Sequence, residues 1–488
     1  MTRLALTLLA IASPLVLAGC LARDDAFLPT DGIQPVALRS EAILGKRTAW
    51  VQNRQQAAAV DAQVRQLLNA KYVGADAAVQ VALLNNKGLQ AAYADIGISV
   101  ADLWQESLPP LNPTISLRYG TVDFTRTVEG LVVTNIVALL TRERRLAVAE
   151  RNVNAAQLQA VLATLEVASQ TRRAWIEAVA AWERVSYLAR AKVAADAAAE
   201  LATELNRTGS MPKADQAREQ VFYAELTADV AEARMEARLA KERLVRVMGL
   251  YGRGIDFEVP NALPRLPRSV QNRSGIEGEA LRNRVDLQIA RLQLETLARS
   301  YGLTKATRFV SDLELGAGVE LEEEIEEEEG EEGEEPKEVR KTNLSPTFEV
   351  GFTIPIFDSG QARLRKAEFE YLRSANLLAE RAVNVRSEAR SAYQAYRSSY
   401  DIARHWQNSV LPLQRTLEEQ AVLTYNGMIT STFELITDTR ERIEANVSAV
   451  EARRAFWLAD EALSSTVFGG GEGGGIEVET AEAGGDED

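Results

Sequence analysis

The sequence predicts an α+β membrane protein in which short strands of a transmembrane β-barrel, four to a chain, run into helices far longer than a globular domain holds. Three observations predict it. Residues 347–356 alternate strictly, with Phe348, Val350, Phe352, Ile354 and Ile356 on one face and Thr347, Glu349, Gly351, Thr353 and Pro355 on the other, the period of a strand with one oily side. Beyond Gly360 no glycine appears until Gly427, and only Pro412 interrupts the run. Some 65 helical residues at about 1.5 Å each extend roughly 100 Å, well past a hydrocarbon core about 30 Å thick. Aromatic residues make up only 6% of the 488, so walls one or two helices deep fit better than thick cores. The net charge of -15 excludes phosphate-directed nucleic-acid binding.

Taken in order, Met1-Thr2-Arg3 and the apolar run 4–17 read as a secretory signal, too short to span well. The signal covers 1–19. Leu17-Ala18-Gly19-Cys20 resembles the bacterial lipobox, in which the cysteine accepts a diacylglycerol and becomes the mature amino terminus. Cys20 is the only cysteine, so no intrachain disulfide forms. Acyl chains on it would anchor firmly, at about 0.8 kcal/mol per buried CH₂. Residues 20–48, with Pro29 and Pro35, read as an extended, lipid-anchored tether.

Apolar residues recur at helical spacing over 48–70 and 76–106, with Gly74 as the break. Pro109, Pro110 and Pro113 end the helix. Ile115, Leu117 and Tyr119 then alternate with polar residues as a first strand, and 131–137 form a second, less regular one. Residues 141–207 hold neither Gly nor Pro and are rich in alanine, the best helix former. Gly209 and Pro212 end this rod, and a second helix runs to Met248. Pro260, Pro264 and Pro267 form a linker, helix resumes to Arg308, and Leu313, Leu315, Ala317, Val319 and Leu321 give the clearest strand. Residues 322–336, dominated by glutamate, read as an exposed and dispensable external loop. Residues 469–488 are glycine-rich and acidic and predict disorder.

The halves are copies. Adding 198 takes Ala82, Leu83, Asn85, Leu89, Gln90, Leu117 and Gly120 to the same residue types. Adding 218 does so for Ile136, Arg145, Arg172, Ala174 and Gly209. The two repeats occupy 49–268 and 269–468, and the change of offset falls in the glutamate tract, as expected of a loop insertion. Each repeat supplies two strands. Four strands cannot close a barrel, open edges do not survive in hydrocarbon, and known barrels begin at eight, so a duct needs at least three chains. The oily strand faces must meet lipid, which turns Asp312, Glu314, Glu320 and Glu349 toward the lumen or its rim.

The junction Pro355-Ile356-Phe357-Asp358-Ser359-Gly360, the Tyr425-Asn426-Gly427 turn, and Ala82-Leu83-Leu84-Asn85-Asn86 leading to Asn112-Pro113 together resemble the TolC-type outer membrane efflux protein family. The likeness spans 81–469. It implies a homotrimer whose barrel continues as a long α-helical periplasmic tunnel, anchored in outer membrane lipid. It further implies a passive exit duct of a tripartite efflux or type I secretion system, working with a periplasmic adaptor protein and an inner membrane transporter. In that family the helix turns farthest from the strands form the periplasmic tip, where acidic residues narrow the entrance. Here those turns offer Asp215 in the first copy and Glu434 and Asp438 in the second. Glu434 and Asp438 share one helical face. Their other reading is a solvated face near a helix amino terminus, which acids favour anyway.

Catalysis finds no foothold. The single histidine, His405, excludes within one chain any cluster needing two or three imidazoles. The sequence has no Gly-rich phosphate loop and no G-x-S-x-G elbow, and nothing in it calls for a cofactor or metal. The alternative to a duct is a structural periplasmic lipoprotein that bridges envelope layers without conducting.

Overall fold

The computed structural model describes residues 32–108, 112–273, 275–307, 313–328, 337–353, 357, 359–426 and 432–469, leaving out the side chains of 253, 326–328, 337–339, 425–426 and 432–436. The signal segment, Cys20, Asp312 and the tail beyond Gly469 lie outside this set. The elements are α1 (Gln34–Leu44), α2 (Arg54–Leu68), α3 (Ala75–Asn85), α4 (Lys87–Ser107), β1 (Thr114–Val122), β2 (Thr125–Asn135), α5 (Val137–Arg207) and α6 (Lys213–Val247), then α7 (Ile276–Asn283), α8 (Val285–Thr307), β3 (Leu313–Glu328), β4 (Lys337–Phe352), α9 (Gln361–His405), α10 (Leu411–Asn426) and α11 (Thr432–Phe468). The helix α5, 71 residues long, is the rod its glycine-free sequence predicts. No described helix is long and apolar enough to cross a membrane.

The chain divides into two compact units. The first comprises Met1–Gln34, Asp95–Ala156 and Leu292–Ala375 and carries the sheet, in strand order β1-β2-β3-β4 and antiparallel throughout. A two-residue turn joins β1 to β2, with Asp123 at φ 49°, a left-handed conformation that aspartate tolerates better than most residues. β1 and β4 are open edges, and Pro346 sits on such an edge, where a missing N–H is tolerated.

The second unit comprises Pro35–Ala94, Gln157–Arg291 and Asn376–Asp488. Its apolar clusters gather around Val81, Trp175, Leu244 and Met248, around Tyr396, Tyr400 and Phe456, and around Phe222, Leu226 and Val230. The proline-rich linker is pinned by two aromatic tips: the Tyr400 hydroxyl donates to the Arg268 carbonyl at 3.0 Å and Trp457 Nε1–H to that of Pro264 at 3.1 Å.

Several expectations need correction. The tether is not wholly extended, because Gln34–Leu44 is helical. The helix expected over 76–106 breaks at Asn86, whose ψ of 120° is extended. The break lets two asparagines cap another helix. Asn85 Nδ2 donates to the Gly249 carbonyl at 2.6 Å and Asn86 Nδ2 to that of Val247 at 2.8 Å, satisfying carbonyls at the α6 terminus that the helix leaves orphaned. The second copy breaks at Arg284, with ψ 123°, 198 residues on. Gly249 and Gly469 have positive φ, and a Cβ on Gly249 would lie 3.0 Å from the Asn85 carbonyl oxygen.

Pro412 interrupts its helix, as its place in the run suggests, but only by a local rearrangement. One π-helical turn, Trp406–Val410, precedes it, with the Leu411 N–H donating to the Trp406 carbonyl. Such a turn rearranges the backbone bonds beside a residue that lacks an N–H. The second strand spans Thr125–Asn135 rather than 131–137. β3 and β4 are 16 residues each, so Glu322–Glu328 belongs to a strand and not to a loop. Its partners explain this: Glu324 faces Lys341 and Glu328 faces Lys337, and opposite charges across a strand pair favour pairing. The rest of the expected loop, 329–336, lies outside the described residues.

Candidate functional site

The register sorts the sheet into two faces. One carries the rows Ile115–Val132–Ala317–Phe348, Leu117–Gly130–Val319–Pro346 and Tyr119–Val128–Leu321–Leu344, continued by Thr134–Leu315–Val350 and Leu313–Phe352. From Leu313 to Leu321 these rows extend about 27 Å along the strand, the scale of the apolar band of a membrane barrel. This face is bare: Leu117 is 77% exposed and Phe348 85%.

The opposite face carries Glu314, Glu320 and Glu349, three of the four acids that the alternation assigns to one side; the fourth, Asp312, lies outside the described residues. Glycines make room for them. A Cβ on Gly316 would lie 3.1 Å from Glu349 Cβ, and one on Gly318 would lie 2.5 Å from the Gly130 carbonyl oxygen, so neither position accepts a side chain without movement. Sequence reading misses Glu129 here, because the irregular alternation starts β2 too late. Glu129 lies directly opposite Glu320, and Arg118 Nη1 answers it from β1 at 3.3 Å. The face is not purely polar, since Leu131 and Val133 share it.

The second candidate region is the pair of helix turns after α5 and α10. Gly209, at φ 75°, begins the first turn, with the Ser210 N–H returning to the Leu205 carbonyl at 2.8 Å. Asp215 sits in the first turn of α6 and accepts from Arg218 at 2.7 Å, a solvent-facing pair one turn along. In the second copy Gly427 lies outside the described residues. Glu434 falls on α11, but its side chain is not among those described; Asp438 lies one turn on and is half-buried. No sequence signal marks the ties between these helices. Arg440 on α11 reaches Glu225 of α6 at 2.5 Å and lies 4.9 Å over the Phe222 ring, and Arg442 pairs with Glu418 of α10. Glu219, one turn after Asp215, is buried, which pushes its carboxyl above the usual range.

Two charged clusters lie elsewhere in the second unit. Arg284 Nη2 meets Asp286 Oδ2 at 2.8 Å with both side chains buried, and Arg284 also pairs with Glu388. Burial pulls the guanidinium pKa down, but the hydrogen bonds and charges of Asp286 and Glu388 outweigh it and the net shift is upward. On α11, burial pushes the Glu461 carboxyl up to about 7, against the pull of Arg172 at 3.5 Å. Among the described residues no group of three or more histidine, cysteine or acidic side chains is placed to hold a metal.

No protein-family model and no curated protein matches the sequence. Solved structures do. The chain is similar to CusC, at TM-score 0.65 and 18% identity over 84% of this chain and 92% of that one. It is likewise similar to the CmeC outer membrane channel of Campylobacter jejuni, at TM-score 0.65 and 14% identity over 87% and 89%. The outer membrane protein VceC of Vibrio cholerae matches at TM-score 0.65 and 16% identity over 84% and 97%.

Proposed function

We propose that this chain, which has the fold of outer membrane efflux channels, is itself a passive outer membrane exit duct. The carrying observation is the sheet: five registered apolar rows on a bare face, carboxylates on the other, and two unpaired edges. Such a sheet is stable in hydrocarbon only when its edges are closed. Three copies pairing β4 to β1 supply twelve strands, turn the apolar face to lipid and enclose the acids. The helices then form the tunnel across the periplasm, and an adaptor and an inner membrane transporter complete a tripartite efflux or type I secretion machine. The chain itself catalyses nothing.

Cys20 is the proposed lipid attachment point, on the strength of Leu17-Ala18-Gly19-Cys20 after the apolar run. Mass spectrometry of the mature chain is expected to find Cys20 acylated at the amino terminus. An unmodified Cys20, or a mature start elsewhere, overturns this.

The enclosed acids fix the sign of ion preference. Threefold repetition makes rings of Asp312, Glu314, Glu320 and Glu349, which lower the energy of cations and raise that of anions, most clearly at low salt. Reversal potentials across a salt gradient in planar bilayers should show cation preference, reduced by Glu314→Gln with Glu349→Gln. Anion preference in the unmodified protein is the contrary result. Glu434 and Asp438, with Asp215 of the first copy, are the proposed gate. In the same bilayers Glu434→Ala with Asp438→Ala should raise a low resting conductance; an unchanged conductance leaves these acids as a solvated helix face.

A further inference from the structure

The helix α1 is held loosely. Of its 11 residues only Val36 and Ser40 are buried, and the enclosed Ser40 hydroxyl has no hydrogen-bond partner, which works against seating the helix. A side-chain tie runs from Arg39 Nη2 to Gln288 Oε1 at 2.5 Å. The stretch just beyond is fixed far more firmly. Gln80 Oε1 accepts from the Arg47 N–H at 3.2 Å while Gln80 Nε2 donates to the Arg47 carbonyl at 2.7 Å. Gln90 likewise accepts from the Val51 N–H and donates to the Ala49 carbonyl, both at 2.8 Å. Between the loose helix and the fixed stretch stands Gly45, at φ 63° with open space where a Cβ would lie, a conformation that glycine adopts freely.

The carboxyl end of α1 closes a cavity of about 110 Å³, room for several waters. Ile43 and Leu44 supply its apolar wall, and Ser169 and Arg172 of α5 with Glu461 and Ser465 of α11 supply the others. The Ser169 hydroxyl, 3% exposed, stands close enough to favour the Glu461 carboxylate yet completes no hydrogen bond. Arg172 is divided between two acids, 3.4 Å from Asp76 and 3.5 Å from Glu461, both longer than the about 2.7–2.9 Å of a close charge-assisted bond. Lys46 holds Asp76 from beside the hinge at 3.1 Å. The other charges that bear on Glu461 are Arg173 of α5, which favours the carboxylate, and Asp460 of α11, which opposes it; Asp460 in turn feels Arg172 and Arg273.

We propose that α1 is a lid on this cavity, hinged at Gly45, that stays seated while Glu461 carries a proton and swings away when the carboxylate ionises and draws water in. The other walls belong to α5 and α11, of 71 and 37 residues, so the short helix is the wall that gives. The sign follows from burial. With α1 seated, burial pushes the Glu461 carboxyl from 4.5 up to about 7, and release returns it toward the solvated value. The seated form therefore binds the proton more tightly, so seating is favoured most below about pH 4.5 and weakens as pH rises to about 7. The lid belongs to the second unit alone and needs no membrane. In a chain anchored at Cys20, its release lengthens the tether.

The test is hydrogen exchange followed by mass spectrometry on the full chain in neutral detergent, from pH 5 to pH 8, with rates corrected for the intrinsic pH dependence of amide exchange. Opening of 34–44 should rise about tenfold across this range, while 47–51 stays protected. Glu461→Gln keeps the shape and removes the titration, so opening of 34–44 should stay low and flat. Asp460→Asn should leave most of the rise in place. Ser40→Ala, which removes the unpartnered hydroxyl, should lower opening at every pH and keep the slope. A flat or falling profile in the unmodified protein, or a rise that survives Glu461→Gln, overturns the proposal. A rise abolished by Asp460→Asn but not by Glu461→Gln overturns the assignment to Glu461, and parallel opening of 47–51 overturns the hinge at Gly45.

Discussion

Ala317→Arg is expected to abolish recovery of this protein as a membrane-inserted oligomer. Ala317 lies in the row Ile115–Val132–Ala317–Phe348, near the middle of the apolar band and on its bare face. An arginine on a barrel's lipid face costs about 2–4 kcal/mol at the bilayer midplane and about 0–1 near the interfaces. A ring of three copies meets that cost three times. The depth dependence supplies the control. Thr121 faces the same side but pairs with Arg126 at the end of β1, where the protein already places a guanidinium, so Thr121→Arg should insert nearly as the unmodified chain does. Flotation with liposomes and heat-resistant oligomers on gels measure both. Equal insertion by the two variants would mean that this face does not meet lipid.

Asp286→Ala is the second large effect, and it acts on stability. Arg284 and Asp286 are 5% and 1% exposed, and Arg284 also pairs with Glu388. Removing Asp286 leaves a guanidinium charge in a desolvated place with a partly solvated partner, at a cost of about 3–5 kcal/mol. In thermal unfolding followed by circular dichroism, the midpoint should fall by about 3–5 °C. Arg284→Met with Asp286→Leu removes both charges and should recover most of the loss, since apolar replacements of a buried pair are often neutral or stabilising. A double variant as unstable as Asp286→Ala would show that the pair holds the Arg284 helix break in shape, beyond neutralising a charge.

Much of the fold is legible in the sequence because period two and freedom from glycine are local signals. Leu313 to Leu321 and Phe348 to Phe352 alternate cleanly and stand on one face. The rod α5 announces itself by lacking glycine and proline. β2 is harder to place, because Gly130 sits mid-row on the apolar face while Leu131 and Val133 take the other, which spoils the alternation. The break at Asn86 escapes because its cause lies 161 residues away, at the Val247 carbonyl. The glutamates before Glu328 read as loop because their partners, Lys337 and Lys341, lie across the ladder and not beside them in the chain. At the site, parity alone assigns Glu314, Glu320 and Glu349 to one face, and they share it. Glu129 and the ties of Arg440 need the three-dimensional neighbours.

The two hairpins end at different heights. β1 and β2 turn over at Asp123 and Phe124, whereas Glu326, Glu327 and Glu328 pair with β4 alone, an overhang of about 10 Å as far as Glu328. In the proposed closed ring of three copies the rim at this end is therefore crenellated, three tall merlons of glutamate-rich ribbon alternating with three low gaps. Under the proposed outer membrane placement, whatever approaches that rim, an antibody, a phage fibre or a protease, meets acidic ribbon first, with the apolar rows below the parapet.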